Sequence, residues 1–150
     1  MTALAALTDD LVERMDVPGP RYTSYPTVPE WRSDYRNEEF WASVEAASRS
    51  DEPLGLYMHL PFCAERCSFC GCNVVVTRSR ERVDRYLDRL QREVELVAPR
   101  LAGTRQVTQL HWGGGTPTFL NLDQLRRSFG MVTDHFRLDE NAELALEVDP

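Results

Sequence analysis

Three short apolar runs alternate with two long amphipathic stretches, and this order constrains the fold of the 150-residue chain more than any other feature. Leu54 to Leu60, Gln106 to Trp112 and Ala142 to Val148 read as strands. The helix expected between the first two starts at Thr77 or Ser79 and runs to about Leu101, where Pro99 and Gly103 punctuate its end. Val83, Leu87, Leu90, Val94 and Val97 recur at helical spacing and make its buried stripe. Glu81–Arg85 and Asp88–Arg92 are acid-before-base pairs at i,i+4, each worth a few tenths of a kcal/mol. Asn121 with Gln124 spells a capping box for the second helix, whose stripe is Leu122, Leu125, Phe129, Val132 and Phe136. Strand, helix, strand, helix, strand predicts α/β structure built from parallel βαβ units. In such folds chemistry gathers at the C-terminal ends of the strands.

The three strand ends carry chemistry-bearing residues. The first runs into Cys63, Cys67, Cys70 and Cys72, which are all of the chain's cysteines. The second runs into Gly113-Gly114-Gly115-Thr116, and the third ends at Glu147. Cys63, Cys67 and Cys70 form C-x3-C-x2-C, a spacing that brings three thiols around one small object in either a helix or a loop. A three-cysteine iron–sulfur site fits best, and it leaves one iron of a four-iron cluster open to a ligand. Structural zinc is the main alternative, with Cys72 as a cramped fourth ligand. A Cys67-x-x-Cys70 redox pair, a disulfide and buried core thiols are the others.

Tyr57 and His59 share one face of the first strand, opposite Leu54, Leu56 and Met58. Tyr57 is placed to contact a ligand beside the cysteines. His59 reads as a hydrogen-bonded core histidine before it reads as a catalyst. The triple glycine lacks both dinucleotide and P-loop spacing. It is either a tight turn or backbone bared for a close ligand, and Glu147 is either a solvated strand end or an acceptor for ribose hydroxyls.

Ahead of the first strand, Leu4, Leu7, Leu11 and Met15 mark a short helix, and Asn37 to Ser48 marks another with Asn37 as its N-cap. Between them, residues 17 to 31 hold four prolines and a glycine, which predict an extended arm. That arm either lies on a core through Tyr22, Tyr25 and Trp31 or offers Arg21 and the tyrosines to a ligand. The net charge of −7 argues against a nucleic-acid partner. No run is apolar enough to span a bilayer, and the N-terminus lacks a secretory pattern, so a cytoplasmic protein is expected. There clustered cysteines favour metal or redox roles over disulfides. All 17 basic residues are arginine, a bias that reflects composition or suits carboxylate ligands.

Leu56-Tyr57-Met58-His59-Leu60-Pro61-Phe62-Cys63, followed by Cys67, Cys70 and Cys72, resembles the radical S-adenosylmethionine (SAM) superfamily. Pro18 to Thr27, His111 to Thr118 and Glu147 to Pro150 narrow the resemblance to the oxygen-independent coproporphyrinogen III oxidase family, and Gly71-Cys72-Asn73 and the arm separate it from a haem chaperone-like relative. The resemblance runs from about Val17 to Pro150. It implies the N-terminal part of a partial (β/α)6 TIM-like barrel, preceded by an extended N-terminal arm. Residues 1–53 would hold the helix, arm and second helix, and residues 54–150 the first three strands and two helices.

The same resemblance implies that Cys63, Cys67 and Cys70 hold a [4Fe–4S] cluster and that Cys72 does not. It assigns Tyr57, Gly114 and Glu147 to a first SAM on the open iron, Phe69, Gly115 and Thr116 to a second, and Arg21 to Thr27 to the substrate opening. The implied reaction is oxidative decarboxylation of two propionates of coproporphyrinogen III to vinyl groups. It needs a low-potential electron donor such as a flavodoxin or ferredoxin, no nucleic acid and no membrane, in a monomer. A haem-binding and haem-delivery protein on the same scaffold is the second reading, and a zinc-stabilised interaction module the third. Three strands cannot close a barrel, so the chain is expected to be an N-terminal fragment that does not turn over alone.

Overall fold

The computed structural model describes residues 8–16, 30–68, 70–101 and 106–149. The arm with Arg21, Tyr22 and Tyr25, the positions Leu4 and Leu7, and Phe69 and Gly103 lie outside the described residues. The chain forms two compact units, Met1–Tyr35 and Arg36–Pro150. In the first, helix α1 (Asp9–Met15) is capped by Thr8, whose hydroxyl accepts the Leu11 N–H at 3.3 Å.

In the second unit the order is α2 (Asn37–Ser48), β1 (Leu54–Leu60), β2 (Phe62–Cys63), β3 (Val75–Val76), α3 (Arg80–Val97), β4 (Gln106–Gly114), α4 (Leu122–Thr133) and β5 (Arg137–Leu146). Strands β1, β4 and β5 make one parallel sheet in that order, and β2 and β3 pair in parallel beside it. Parallel neighbours need a crossover, and α3 and α4 supply the two crossovers of the main sheet. This is the α/β architecture with a parallel sheet that the alternation predicts.

Alternation along β1 decides which side of the sheet is covered. Met58 and Leu60 are buried, whereas Tyr57 stays exposed. They join Val83 and Leu87 of α3, Val107, Leu110 and Trp112 of β4, and Met131 and Val132 of α4 in one core. Each fully buried leucine or valine there contributes about 1.5–3 kcal/mol. Leu90, Val94 and Val97 are half-buried against this core, so the predicted α3 stripe is present.

Several local expectations change. The N-cap of α2 is Arg36 rather than Asn37; the Arg36 N–H donates to the Glu39 carboxylate at 3.0 Å. Ser79 caps α3, accepting from the Arg82 N–H at 3.3 Å, while Thr77 accepts from the Ser79 N–H at 3.2 Å. The helix ends at Val97 and tightens into a 3-10 turn over Ala98–Arg100.

The expected stripe of α4 is kept at Leu125, Val132 and Phe136 but not at its other two positions. Leu122 is 60% exposed and Phe129 37%, whereas Gln124 and Ser128 are buried. The cause is a polar seam between α3 and α4. Gln124 donates to Asp84 at 2.8 Å and shares a reciprocal capping box with Asn121. Arg127 donates to Asp88 at 2.7 Å and to Gln91 at 3.0 Å, so Asp88 pairs across the helices rather than with Arg92. Buried polar groups satisfied in this way are tolerated where unsatisfied ones would not be. Strand β5 starts five residues before the expected Ala142 and ends at Leu146, which leaves Glu147 just past it. The β2–β3 pair was not expected, although Val74-Val75-Val76 is a short apolar run of the right kind.

Candidate functional site

The C-terminal ends of β1, β4 and β5 lie side by side, with Tyr57 opposite His111, His59 opposite Gly113 and Leu60 opposite Gly114. The polar side chains of the uncovered face meet there. The Tyr57 hydroxyl is 3.1 Å from His59 Nδ1, and His59 Nε2 is 3.2 Å from the Asn73 carbonyl at the end of the cysteine loop. The Tyr57 and His111 rings are 5.6 Å apart. His111 Nε2 lies 3.3 Å from Glu147 Oε1. The Gly114 N–H donates to Glu147 Oε2 at 2.9 Å, and the Glu147 N–H donates to the Trp112 carbonyl at 3.0 Å. Glu147 is thus tied to the end of β4 through its backbone and its carboxylate.

The triple glycine is a packing requirement rather than a bare turn. A Cβ on Gly113 would sit 2.7 Å from Glu147 Oε1 and 2.9 Å from Tyr57 Cε2. Gly114 has φ +116°, and a Cβ there would fall 2.6 Å from the His59 ring. On Gly115 it would strike the Phe62 backbone oxygen at 2.7 Å. The glycines let Glu147, Tyr57, His59 and the β2 backbone close over the strand end. Gly113 and Gly114 are buried.

The four cysteines are free thiols on one loop. Cys63 is buried on β2, with its Sγ 3.5 Å from Thr116 Oγ1. The Thr116 N–H donates to the Phe62 carbonyl at 2.8 Å, and the Gly115 N–H to the Leu60 carbonyl at 2.9 Å. These bonds stitch the segment after β4 to the start of the cysteine loop. Cys67 is exposed and Cys70 half-buried, and the Cys70 N–H donates to the Cys67 carbonyl at 3.1 Å. The loop therefore turns between Cys67 and Cys70 rather than continuing as a helix.

Local desolvation pushes the Cys72 thiol above its ordinary pKa, and its hydrogen bond and proximity to Cys70, then Glu147 and Cys67, push the same way. Desolvation first, then Glu147 and Cys72, raises Tyr57 likewise. Both groups are protonated at neutral pH, and an added anion in this corner meets like charge from Glu147.

Among the described residues no three His, Cys, Asp or Glu side chains converge on a single ion. An iron–sulfur cluster takes one thiolate per iron, so its ligands stand around a cage instead of meeting at a point. Soft thiols alone, spread over one loop beside a polar strand end, fit that group.

Of the positions expected from the sequence, Tyr57, Gly114, Gly115, Thr116 and Glu147 come together at the ends of β1 and β4, with Cys63 beside Thr116. Phe69 lies outside the described residues. Sequence reasoning missed the part played by His111, which contacts both Tyr57 and Glu147. The available signal was strand period, since His111 alternates onto the Tyr57 face.

No family model matches the chain. It is similar to the oxygen-independent coproporphyrinogen III oxidase of Mannheimia haemolytica, 49% identical over 141 residues, covering 93% of this chain and 94% of that one. The enzyme of the same name from Escherichia coli (strain K12) is 46% identical over 140 residues, covering 93% of this chain. Here the chain spans only 30% of its relative's length. Among solved structures, the E. coli coproporphyrinogen III oxidase, described as a radical SAM enzyme, matches with a TM-score of 0.77 at 48% identity. That match covers 86% of this chain and 29% of the other. The haem-delivery alternative finds no support in these relatives.

Proposed function

The chain belongs to the oxygen-independent coproporphyrinogen III oxidase family, and from that premise we propose that the protein oxidatively decarboxylates two propionates of coproporphyrinogen III to vinyl groups, giving protoporphyrinogen IX. In this reading residues 54–150 form the first three strands and two helices of a (β/α)6 barrel, and residues 1–53 precede it as helix, arm and helix. Cys63, Cys67 and Cys70 would hold a [4Fe–4S] cluster, and Cys72 would not be a ligand. When bound, the cluster and SAM would supply the radical chemistry that acts on the substrate propionates.

The chain's own residues bind and orient. The Gly114 N–H fixes the Glu147 carboxylate at the strand end. A carboxylate has about four lone-pair sites, so Glu147, with His111 and Gly114 as partners, keeps room for ribose hydroxyls. Tyr57, steadied by His59, presents its ring beside them. Thr116 and Gly115, with Phe69, serve a second SAM. The reading also calls for a low-potential one-electron donor, such as a flavodoxin or ferredoxin, in a cytoplasmic monomer.

The observation that carries the proposal is the joining of Glu147, Gly114 and Tyr57 at one strand end, beside the loop that bears the cysteines. The test is turnover by the full-length protein, reconstituted anaerobically and supplied with SAM, dithionite and coproporphyrinogen III. Release of CO2 with appearance of divinyl product is expected. A protein that carries its cluster and still releases no CO2 would defeat the proposal.

A further inference from the structure

Behind the cysteine loop lies a groove of about 370 Å³ between the start of β2, strand β3 and helix α3. Its floor is apolar, made by Phe62, Val75 and Tyr86, with the Phe62 and Tyr86 rings edge to face at 5.3 Å. Along one wall stand Arg82, Arg85 and Arg89. All three are exposed, and none has an ion pair or side-chain hydrogen bond among the described residues.

Two acids of α3 are held away from the groove. Asp84 and Asp88 turn toward α4, where Gln124 and Arg127 hold them. Glu93 stands near Leu56 and Met58, within electrostatic reach of Tyr86. The groove side keeps its cations unneutralised in a chain whose net charge is −7. Arginines and aromatics around an apolar floor are the composition of a protein-binding surface. From Arg82 to Arg89 the helix rises about 10 Å, so the row suits a series of carboxylates better than one small anion. The floor residue Phe62 is the immediate neighbour of Cys63.

We infer that this groove docks the acidic electron-carrier protein that serves the cluster, an inference that rests on the function proposed above. Acidic side chains of the carrier face Arg82, Arg85 and Arg89, and its apolar rim meets Phe62 and Tyr86. One electron leaves the reduced carrier and one is gained at the cluster, so the exchange balances without a further reactant. The attraction acts over a Debye length of about 8 Å at physiological salt, so it falls off close to the arginine row.

The test uses the full-length, cluster-loaded protein and a flavodoxin as the probe. Binding is measured by calorimetry at several salt concentrations for the wild type, for Arg82→Glu/Arg85→Glu/Arg89→Glu, and for Arg92→Glu as a control off the groove. The triple variant should bind at least about tenfold more weakly and lose the salt dependence, with iron content, visible spectrum and dithionite-driven turnover unchanged. The control should bind as the wild type does. Unchanged flavodoxin affinity in a cluster-loaded triple variant would overturn the inference. So would arginines already shielded from phenylglyoxal in the wild type before flavodoxin is added, which would mean that another part of the chain fills the groove. Absence of dithionite-driven turnover in the wild type counts against the proposed function instead.

Discussion

Replacing Gly114 by alanine should damage the strand end for two separable reasons. The first is backbone. With φ at +116°, an alanine sits in a region that L side chains avoid, at a cost of about 1–3 kcal/mol. The second is steric. The new methyl would lie 2.6 Å from His59 Cε1 and 2.7 Å from Nδ1. The ring cannot simply swing aside, because Tyr57 holds Nδ1 at 3.1 Å and the Asn73 carbonyl holds Nε2 at 3.2 Å. Forcing such an overlap costs about 1–3 kcal/mol. The sum, about 2–6 kcal/mol, is a large share of the total stability of an ordinary domain.

A double-mutant cycle separates the two terms. In a His59→Ala background the ring is gone, so Gly114→Ala should cost only its backbone share, and the coupling should be about 1–3 kcal/mol. Urea unfolding followed by tryptophan fluorescence on the wild type, both single variants and the double variant gives all four numbers, and Trp112 lies on the same strand. Gly113→Ala is a useful comparison. Its methyl would meet the flexible ends of Glu147 and Tyr57, so its cost should be smaller than that of Gly114→Ala. A Gly114→Ala cost within about 0.5 kcal/mol of zero would refute both terms, and an equal cost in both backgrounds would refute the clash.

Two more outcomes are expected. After anaerobic reconstitution, Cys63→Ser, Cys67→Ser and Cys70→Ser should each lose the brown visible absorbance and most of the iron, while Cys72→Ser keeps both; loss in all four would revise the ligand set. The Tyr86 hydroxyl donates to the His59 carbonyl at 2.6 Å, and burial, then Glu93 and Tyr57, raises its pKa above the ordinary 10.0. The folded state therefore holds this proton more tightly, so the contribution is complete below about pH 10 and falls as pH rises toward the folded value. Tyr86→Phe should cost about 1 kcal/mol at neutral pH and flatten that alkaline decline in urea titrations. An equally steep decline in the variant would rule Tyr86 out as its source.

The residues show why parts of the fold were legible and others not. Asn121 and Gln124 announced their capping box because both partners lie within one turn, and the structure forms it as read. Strand β1 appears between the expected residues because its alternation is local. The apolar side of α4 was legible at Leu125, Val132 and Phe136, but its buried polar side was not, since that depends on Asp84 and Asp88, about 40 residues away. The cap of α2 shifted by one residue because Glu39 reached the Arg36 backbone, a choice among near-equal local bonds.

By itself the sequence determined the alternation of strands and helices, the clustering of thiols after the first strand, and the family to which those motifs point. Each is written in neighbouring residues. Only the tertiary structure decided that the Glu147 carboxylate binds the Gly114 N–H, that His111 bridges Tyr57 and Glu147, and that three arginines of α3 face one groove while Asp84 and Asp88 face α4. Those relations arise where parallel strands bring residues more than 30 positions apart to one level, and the register that does so is set by packing over the whole sheet.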